Sequence, residues 1–393
     1  MNAVSNPIYN DNRLKLGIFC TNGGGANLTL VPEATRTSWD FALRTARVAD
    51  QAGYEAVVPF SRWKGYPPNR PEHYSGEVFD PFTFAAGIAQ ATEHVGIFAT
   101  SHAPTIHPIV VAKQSATVDA ISGGRFSLNV VAGWNKPELD MFGADMRQHE
   151  QRYAQLAEWV KVLRLLWSER EEFDFDGDFY TIRGAVSQPK PIQKRPPLMN
   201  AGTSAAGARF ATENADLCFV LLQSEDESQI KAQVDQYKNQ ARNEFGREVK
   251  VWVQCFVVQR DSQGEADDYL QRYAVDYQDR EGVDAWMSLV MANTQGIPPE
   301  VLQQLRLRFA AGCGGYPLVG TTERIGRELE KLSRAGLDGV LLTWVDYDQG
   351  MAQFNRTVLP ALEVAGLRQP FRPSAGSNGL RRDEHSLHTV GAV

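Results

Sequence analysis

The feature that most constrains the fold is a repeated alternation of short apolar runs with helical patterns along almost the whole chain. The apolar runs are rich in Val, Ile, Leu and Phe, which is typical of parallel strands covered by helices on both faces. Eight such runs occur, at residues 14–20, 55–60, 95–100, 125–133, 197–202, 216–222, 249–260 and 339–346.

Eight strand-then-helix units in series predict an α/β protein with a (β/α)8 TIM barrel, because closing a parallel sheet removes its exposed edges. A doubly wound open sheet is the alternative. The usual dinucleotide-binding fingerprint is missing, since "GGG" at 23–25 follows the first strand without a G-x-G-x-x-G pattern. Two insertions are predicted, a β-hairpin near 173–193 and a polar lid near 280–317.

The length and composition fit one barrel domain with a tail. A barrel with insertions reaches 393 residues, and a 43% hydrophobic content is enough for a large core. We expect a single domain over residues 1–368 and a flexible, polar, Gly/Ser-rich tail over 369–393. No signal-peptide pattern and no run of about 18 apolar residues occurs, so we expect a cytoplasmic protein without a membrane partner.

Charge and cysteine placement argue against several classes of function. The net charge is −7 and no Lys/Arg stripe occurs, which predicts no nucleic-acid partner. Cys20, Cys218 and Cys255 lie inside apolar runs and are expected to be buried thiols, whereas Cys313 is the one expected to be exposed. No Cys/His spacing typical of a metal site occurs, so no metal is predicted.

In a barrel of this kind the active site is built at the carboxyl ends of the strands. His102 and His107 share one loop there, where they serve either as acid/base groups or as structural residues. The residues placed at these ends are Ser61, Arg62, Trp63, Lys64, Thr100, Ser101, His102, Asn129, Trp134, Asn135, Glu138, Asn200, Gly202, Thr203, Ser204, Trp344, Asp346 and Tyr347.

The segment "NAGTSAAGARF" (200–210) gives the clearest ligand signal. A strand stops at Gly202, and Thr203 and Ser204 then begin a helix whose free N–H groups can bind a phosphate. The same pattern also fits an ordinary N-cap. Arg152 in "EQRYAQL" can reach such a phosphate as a bidentate donor, or form a surface ion pair. A neutral site with an anion-binding end suits a phosphate-bearing cofactor.

The segment "ATVDAISGGRFSLNVVAGWNKPEL" (116–139) resembles the bacterial luciferase-like, two-component flavin-dependent monooxygenases. That family commonly carries an Ile-Ser-Gly-Gly-Arg turn before an Asn-bearing strand, and the likeness extends over residues 12–367. Within the family the chain is most similar to the pyrimidine oxygenases, while the dimethylsulfone and alkanesulfonate monooxygenases are more distant.

The resemblance implies FMN, reduced by a separate NAD(P)H:flavin reductase, with O2 as co-substrate, in a homodimer or homotetramer. A flavin peroxide would attack a small electrophilic heterocycle, amide or organosulfur compound and cleave a C–N, C–S or C–halogen bond. Three alternatives stay open: hydride transfer with a deazaflavin on the same fold, a flavin-binding protein without turnover, and a barrel acting on sugar phosphates.

The resemblance also assigns site residues. It places oxygen beside Thr100 and Asn129, so that Asn129 interrupts an apolar strand as a neutral donor for a developing oxyanion; a bond to a neighbouring group is the alternative. The pyrimidine oxygenases have lysine where this chain has Arg62, and the two differ in donor geometry. The implied FMN contacts are Ser61, Arg62, Asn129, Glu138, Arg152, Tyr153 and Ser204, to which the phosphate pattern adds Thr203.

Several further residues have two interpretations each. Three tryptophans, Trp63, Trp134 and Trp344, either wall the substrate pocket or belong to the core. Arg306 and Arg308, in the predicted lid, either close over the substrate or lie on a solvated helix face.

Overall fold

The computed structural model describes residues 6–291 and 299–372 of the chain. The strands are β1 (Lys15–Phe19), β2 (Ala56–Val58), β3 (Gly96–His102), β4 (Phe126–Val131), β5 (Phe173–Asp176), β6 (Thr181–Ala185), β7 (Leu198–Asn200), β8 (Leu217–Val220), β9 (Lys250–Gln259), β10 (Tyr316–Gly320) and β11 (Gly339–Thr343). The helices are α1 (Trp39–Gln51), α2 (Pro81–Ala91), α3 (Pro108–Ile121), α4 (Lys136–Met141), α5 (His149–Ser168), α6 (Ala205–Asn214), α7 (Glu227–Phe245), α8 (Gln263–Gln271), α9 (Arg280–Met291), α10 (Pro299–Gly312), α11 (Thr322–Arg334) and α12 (Tyr347–Val364).

Eight parallel strands close into a barrel in the order β1-β2-β3-β4-β7-β8-β9-β11, and β11 pairs back with β1. The strands are short and buried, and the helices between them cover the outside, which explains their apolar composition on both faces. The predicted (β/α)8 barrel is confirmed, and the open doubly wound sheet is excluded.

The barrel has an inner and an outer apolar layer, because side chains alternate along each strand. Phe98, Met199, Trp252 and Leu341, from four different strands, belong to the inner cluster and are fully buried. The outer cluster joins the opposite faces of the strands to the surrounding helices. The predicted burial of Cys20, Cys218 and Cys255 is confirmed.

Strand β9 is twice as long as most of its neighbours because it takes part in two pairings on one side. Its first half, Lys250 to Val253, pairs with β8. Its second half, Cys255 to Gln259, pairs with β10, which the sequence prediction did not include. The barrel ring closes without β10, so this ninth strand lies outside the ring.

The two predicted insertions occur at the expected places. Strands β5 and β6 form an antiparallel hairpin, as predicted for the region near 173–193. The region near 280–317 contains α9, α10 and the beginning of β10, so its described part is mainly helical. Phe309 of α10 packs in one cluster with Leu28, Tyr66 and Val345, which follow β1, β2 and β11. The insertion therefore covers the carboxyl ends of these strands.

A buried ion pair lies at the opposite end of the barrel. Arg368 Nη1 lies 2.7 Å from Glu55 Oε2, and the side chains are 2% and 0% exposed. Arg368 also donates to the Leu14 and Gly53 carbonyls. Phe371 continues the packing with a ring contact to His94. Residues 373–393 of the predicted tail lie outside the described residues, so the division at 368 stays a prediction.

Within the described ranges, no helix is both long enough and apolar enough to cross a bilayer.

Candidate active site

The carboxyl ends of β3 and β4 bring Thr100 and Asn129 side by side, because these two residues are partners in the parallel register. Asn129 Nδ2 donates to Thr100 Oγ at 3.2 Å. Thr100 Oγ in turn donates to the Pro59 carbonyl oxygen at 2.5 Å. Asn129 is 6% exposed and Thr100 is 3% exposed, so the chain of bonds is shielded from solvent.

The Pro59 carbonyl oxygen determines which groups donate and which accept in this series of hydrogen bonds. A backbone carbonyl only accepts, so the single hydroxyl proton of Thr100 goes to Pro59. Thr100 must therefore accept from Asn129, which fixes the amide group of Asn129 towards Thr100. The Asn129 carbonyl oxygen then points the other way, and no donor contacts it among the described residues. A buried acceptor of this kind costs about 1–3 kcal/mol unless a ligand supplies a donor.

Glu138, at the start of α4, holds the loop that carries Ser61 and Arg62. Its Oε1 accepts from the backbone N–H groups of Trp63 at 3.0 Å and Lys64 at 3.4 Å. Glu138 is 2% exposed, and burial raises the pKa of its carboxyl group, against the opposing effect of the Arg62 charge. Its contact therefore positions the loop.

His102 lies beside Glu138 without forming an ion pair. Its Nδ1 is 4.0 Å from Glu138 Oε2, which is too long for a strong hydrogen bond. Burial, assisted by the Arg62 charge, lowers the pKa of His102 to about 4. The imidazole is therefore neutral near pH 7. His107 accepts from the Ile109 N–H as the N-cap of α3, which supports its structural interpretation.

The predicted anion site is built from α5 and the first turn of α6. Ser204 is the N-cap of α6 and accepts from the Gly207 N–H at 3.1 Å. His149 Nε2 lies 2.7 Å from Ser204 Oγ, and His149 Nδ1 lies 2.9 Å from Arg152 Nη2. Arg152 Nη1 donates to the Gly133 carbonyl at 2.5 Å, whereas its Nε has no partner among the described residues. Arg152, His149 and Ser204 thus converge on one helix N-terminus.

The first turn of α6 depends on two glycines for its close contact with Tyr153. A Cβ atom on Gly207 would lie 2.5 Å from the Tyr153 hydroxyl, and one on Gly202 would lie 2.6 Å from the Gly207 backbone. The hydroxyl therefore reaches the helix N-terminus only because these side chains are missing. Free N–H groups, an arginine and a tyrosine at one helix start fit a phosphate group.

A cleft, which we call the aromatic cleft, adjoins the loop after β2 and has a cavity volume of about 90 Å³. Arg62 is its central cation: its Nη2 donates to the Tyr66 hydroxyl at 2.5 Å, and its guanidinium stacks 3.8 Å from the Tyr66 ring. Cys313, expected to be exposed, is only partly so and lines this cleft. The other lining residues are Phe19, Cys20, Gly24, Gly25, Ala26, Asn27, Leu28, Phe60, Tyr74, Ser75, Glu77, Val78 and Phe309.

Some expected residues lie outside these groups. The three tryptophans do not line the aromatic cleft; Trp344 instead borders a second cavity, with Gln259 and Arg260. Arg306 and Arg308, both partly buried, form ion pairs with Asp284 and Glu225 at 2.5 Å.

Thr203 is exposed next to the start of α6. Sequence reasoning missed His149, although it precedes Arg152 by three positions on the same helix face. Over the described ranges, no three His, Cys, Asp or Glu side chains are grouped so that they could hold a metal ion.

The chain is similar in sequence to known proteins over most of its length. The family model described as "Luciferase-like monooxygenase" matches residues 14–339. The chain is 27% identical over 369 residues to the pyrimidine monooxygenase RutA of Acinetobacter baylyi, covering 92% of this chain and 99% of that protein. It is 30% identical over 339 residues to the FMNH2-dependent dimethylsulfone monooxygenase of Pseudomonas putida, covering 83% and 89%.

The fold is shared with a solved structure as well. The long-chain alkane monooxygenase LadA superposes with a TM-score of 0.80 at 20% identity, covering 92% of this chain and 93% of that one. The family match spans most of the barrel, including Thr100, Asn129, Arg152 and Ser204. The chain therefore belongs to the luciferase-like monooxygenase family.

Proposed function

We propose that this protein is a two-component monooxygenase that uses reduced FMN and O2. The observation that carries the proposal is the buried carbonyl oxygen of Asn129, which has no donor among the described residues and which a donor on a bound ligand would satisfy. The reduced flavin ring offers N–H donors, and FMN has the phosphate that suits the start of α6. The two relatives named above are monooxygenases, and one is named as FMNH2-dependent.

Arg152, Tyr153, Thr203 and Ser204 would hold the phosphate, and Asn129 would contact the ring. Reduced FMN together with O2 supplies the oxygenating chemistry. Thr100, expected to donate to oxygen, already donates its hydroxyl proton to Pro59, so its proposed role is to orient Asn129. Asn129 keeps one amide proton besides the one directed to Thr100, and this proton is the donor available to oxygen.

The remaining predicted residues would shape the ring end of the site. Ser61 and Arg62 belong to the loop that Glu138 holds by two backbone N–H groups. We propose that this loop contacts the flavin edge while Arg62 faces the aromatic cleft. Arginine at this position presents a planar, forked set of donors that a lysine does not.

We propose that the substrate is a small electrophilic heterocycle, amide or organosulfur compound whose C–N, C–S or C–halogen bond is cleaved. The relatives act on a pyrimidine and on dimethylsulfone, as their names state, and the aromatic cleft lies beside Arg62. The sequence has no dinucleotide fingerprint, so we propose that a separate NAD(P)H:flavin reductase supplies reduced FMN in the cytoplasm. We also propose that the protein forms a homodimer or homotetramer.

The test is to supply chemically reduced FMN and O2 with a panel of pyrimidines, amides, sulfones, sulfonates and haloaromatic compounds. Products are identified by mass spectrometry while an electrode follows O2 uptake. We expect one class to give an oxygenated product with O2 uptake that tracks conversion. Substrate turnover with a reduced deazaflavin and no O2 uptake would instead identify a hydride-transfer enzyme. Reactions without protein measure the background oxidation of the flavin.

A further inference from the structure

Ser75, His73 and Asp279 form a hydrogen-bonded series in the wall of the aromatic cleft. Ser75 Oγ lies 2.8 Å from His73 Nδ1, and His73 Nε2 lies 3.1 Å from Asp279 Oδ2. Ser75 lines the cleft, whereas His73 and Asp279 are 8% and 3% exposed behind it. A serine in the wall of a cavity, backed by a buried histidine and a buried carboxylate, is an arrangement that can activate a hydroxyl as a nucleophile.

The hydrogen positions in this series follow from the surrounding backbone. The Ser75 N–H donates to His73 Nδ1 at 3.3 Å, so Nδ1 is an acceptor and the ring proton is on Nε2, facing Asp279. The Tyr66 N–H donates to Ser75 Oγ at 3.0 Å and occupies one of its two lone pairs. The Ser75 hydroxyl, whose Oγ lies 2.8 Å from His73 Nδ1, shares the single acceptor lone pair of that nitrogen with the more distant Ser75 N–H, and the second lone pair of Ser75 Oγ stays available for attack.

Asp279 is held in place by donors from two other groups. The Tyr74 hydroxyl donates to its Oδ2 at 2.8 Å, and the Gly282 N–H donates to its Oδ1 at 3.0 Å. With His73 Nε2, three donors face this carboxylate and fix its orientation. The His73 ring also stacks on Tyr74, with centroids 4.6 Å apart. The histidine is therefore fixed in orientation from both its edge and its face.

We propose that Ser75 is a base-activated nucleophile of a second catalytic centre, which acts on esters and activated amides bound in the aromatic cleft. Ser75 Oγ forms a bond to the acyl carbon while its proton passes to His73 Nδ1. The bond from the acyl carbon to the leaving group then breaks, and the leaving group takes that proton. Water reverses the sequence and releases the acid. Asp279 is a positioning residue that orients His73 and stabilises its charged form.

Arg62 also lines this cleft, and one of its N–H groups donates to the Tyr66 hydroxyl. Its remaining donors can stabilise the negative charge that develops on the acyl oxygen. This centre needs neither flavin nor O2, although it shares the aromatic cleft with the substrate of the proposed monooxygenase.

A second serine–histidine pair in the protein serves as an internal control for Ser75. Ser204 also contacts a histidine, His149, at 2.7 Å, but the other nitrogen of His149 faces Arg152 in place of a carboxylate. An arginine at that position opposes the charge that a general base acquires. If hydroxyl activation depends on the whole series, Ser75 reacts with an electrophile and Ser204 does not.

The experiment uses the full-length protein without added flavin and a fluorophosphonate with a short alkyl chain, a probe that reacts with activated serines. Peptide mass spectrometry then locates the label. We expect labelling of Ser75 and none of Ser204. Absence of label on Ser75 in the unmodified protein overturns the proposal. The same preparation is assayed for hydrolysis of p-nitrophenyl acetate, which we expect to stop once Ser75 is labelled.

Variants then test whether Ser75 is labelled because its hydroxyl is activated or only because it is exposed to the probe. We expect His73→Gln to slow labelling of Ser75 by about 100-fold or more, and Asp279→Asn by at least about 10-fold. Ser228→Ala is the matched control, because Ser228 is an exposed serine that contacts a carboxylate, Asp226, without a histidine. Circular dichroism checks that each variant is folded. Labelling of Ser75 at an unchanged rate in folded His73→Gln and Asp279→Asn would mean that His73 only caps its own turn.

Discussion

Asn129 is oriented by Thr100, which accepts its amide proton at 3.2 Å and cannot return one, because its own proton goes to Pro59. The carbonyl oxygen of Asn129 is thereby left as a buried acceptor of fixed orientation, without a donor among the described residues. This relationship carries the proposed contact with the flavin.

Asn129→Ala should weaken the binding of reduced FMN more than that of oxidised FMN, because the reduced ring has an additional N–H donor. Loss of a buried hydrogen-bond partner costs about 1–3 kcal/mol, which corresponds to roughly 5- to 150-fold in Kd. Anaerobic and aerobic fluorescence titrations measure the two affinities. Thr100→Val should show a smaller loss and Thr100→Ser little change. Equal weakening of both flavin forms in Asn129→Ala would contradict the acceptor role.

Arg152→Ala should weaken FMN binding by about 10- to 150-fold, since a hydrogen bond to a charged group contributes about 1.5–3 kcal/mol. Riboflavin lacks the phosphate, so its affinity should hardly change. Lys161→Ala, on the exposed face of the same helix, is the matched control and should bind both flavins normally. An equal loss for FMN and riboflavin would remove the phosphate assignment.

His149 should couple FMN binding to proton uptake. In the free protein, burial and the neighbouring Arg152 charge lower the pKa of His149. A bound phosphate would raise that pKa, so the protein–FMN complex binds more protons than the free protein. By linkage, affinity is highest below the free-protein pKa and falls as pH rises through the pKa of the complex.

The measurement for His149 is a series of FMN titrations across pH, in wild type and in His149→Gln. Ionisation of the FMN phosphate itself, near pH 6, contributes to both curves, so only their difference reports on His149. We expect a flatter curve in the variant. Superimposable curves would show that the imidazole stays neutral when the phosphate binds.

Arg368→Met should destabilise the fold by about 3–5 kcal/mol, because it leaves the Glu55 carboxylate buried without its partner. Combining it with Glu55→Gln should recover part of this loss. Arg334→Met is the control, since Arg334 pairs with Glu227 on the surface, where such pairs contribute at most about 1 kcal/mol. Urea unfolding measures the free energies. Similar values for Arg368→Met and Arg334→Met would argue against an important role for the buried pair.

The barrel was predictable because its strands are apolar on both faces and recur with helices between them. The contact between Thr100 and Asn129 follows from the same regularity, since neighbouring parallel strands bring their carboxyl ends together. Strand β10 was missed because Tyr316–Gly320 is short and contains Pro317, so it resembles a loop. Its strand character depends on pairing with the second half of β9, which local sequence does not reveal.

The parts of the site that sequence could not predict depend on backbone groups and on distant loops. Pro59 contributes a carbonyl oxygen, which every residue has, so nothing in its side chain marks it as the acceptor for Thr100. His73 and Asp279 lie far apart in the chain, each in a segment without periodicity. His149 could not be assigned from the sequence because its partner Ser204 belongs to another helix.

Strand β9 pairs with β8 and β11 in the barrel and also with β10 outside it. The segment that follows β9 contains Asp279, Phe309 and Cys313, which lie in or behind the wall of the aromatic cleft. It ends in β10, which pairs with the second half of β9. The hydrogen bonding of the eight-stranded ring is complete before and after this segment. A segment of different length could therefore replace the one between β9 and β10 without breaking the ring, which would reshape the aromatic cleft and leave the start of α6 in place.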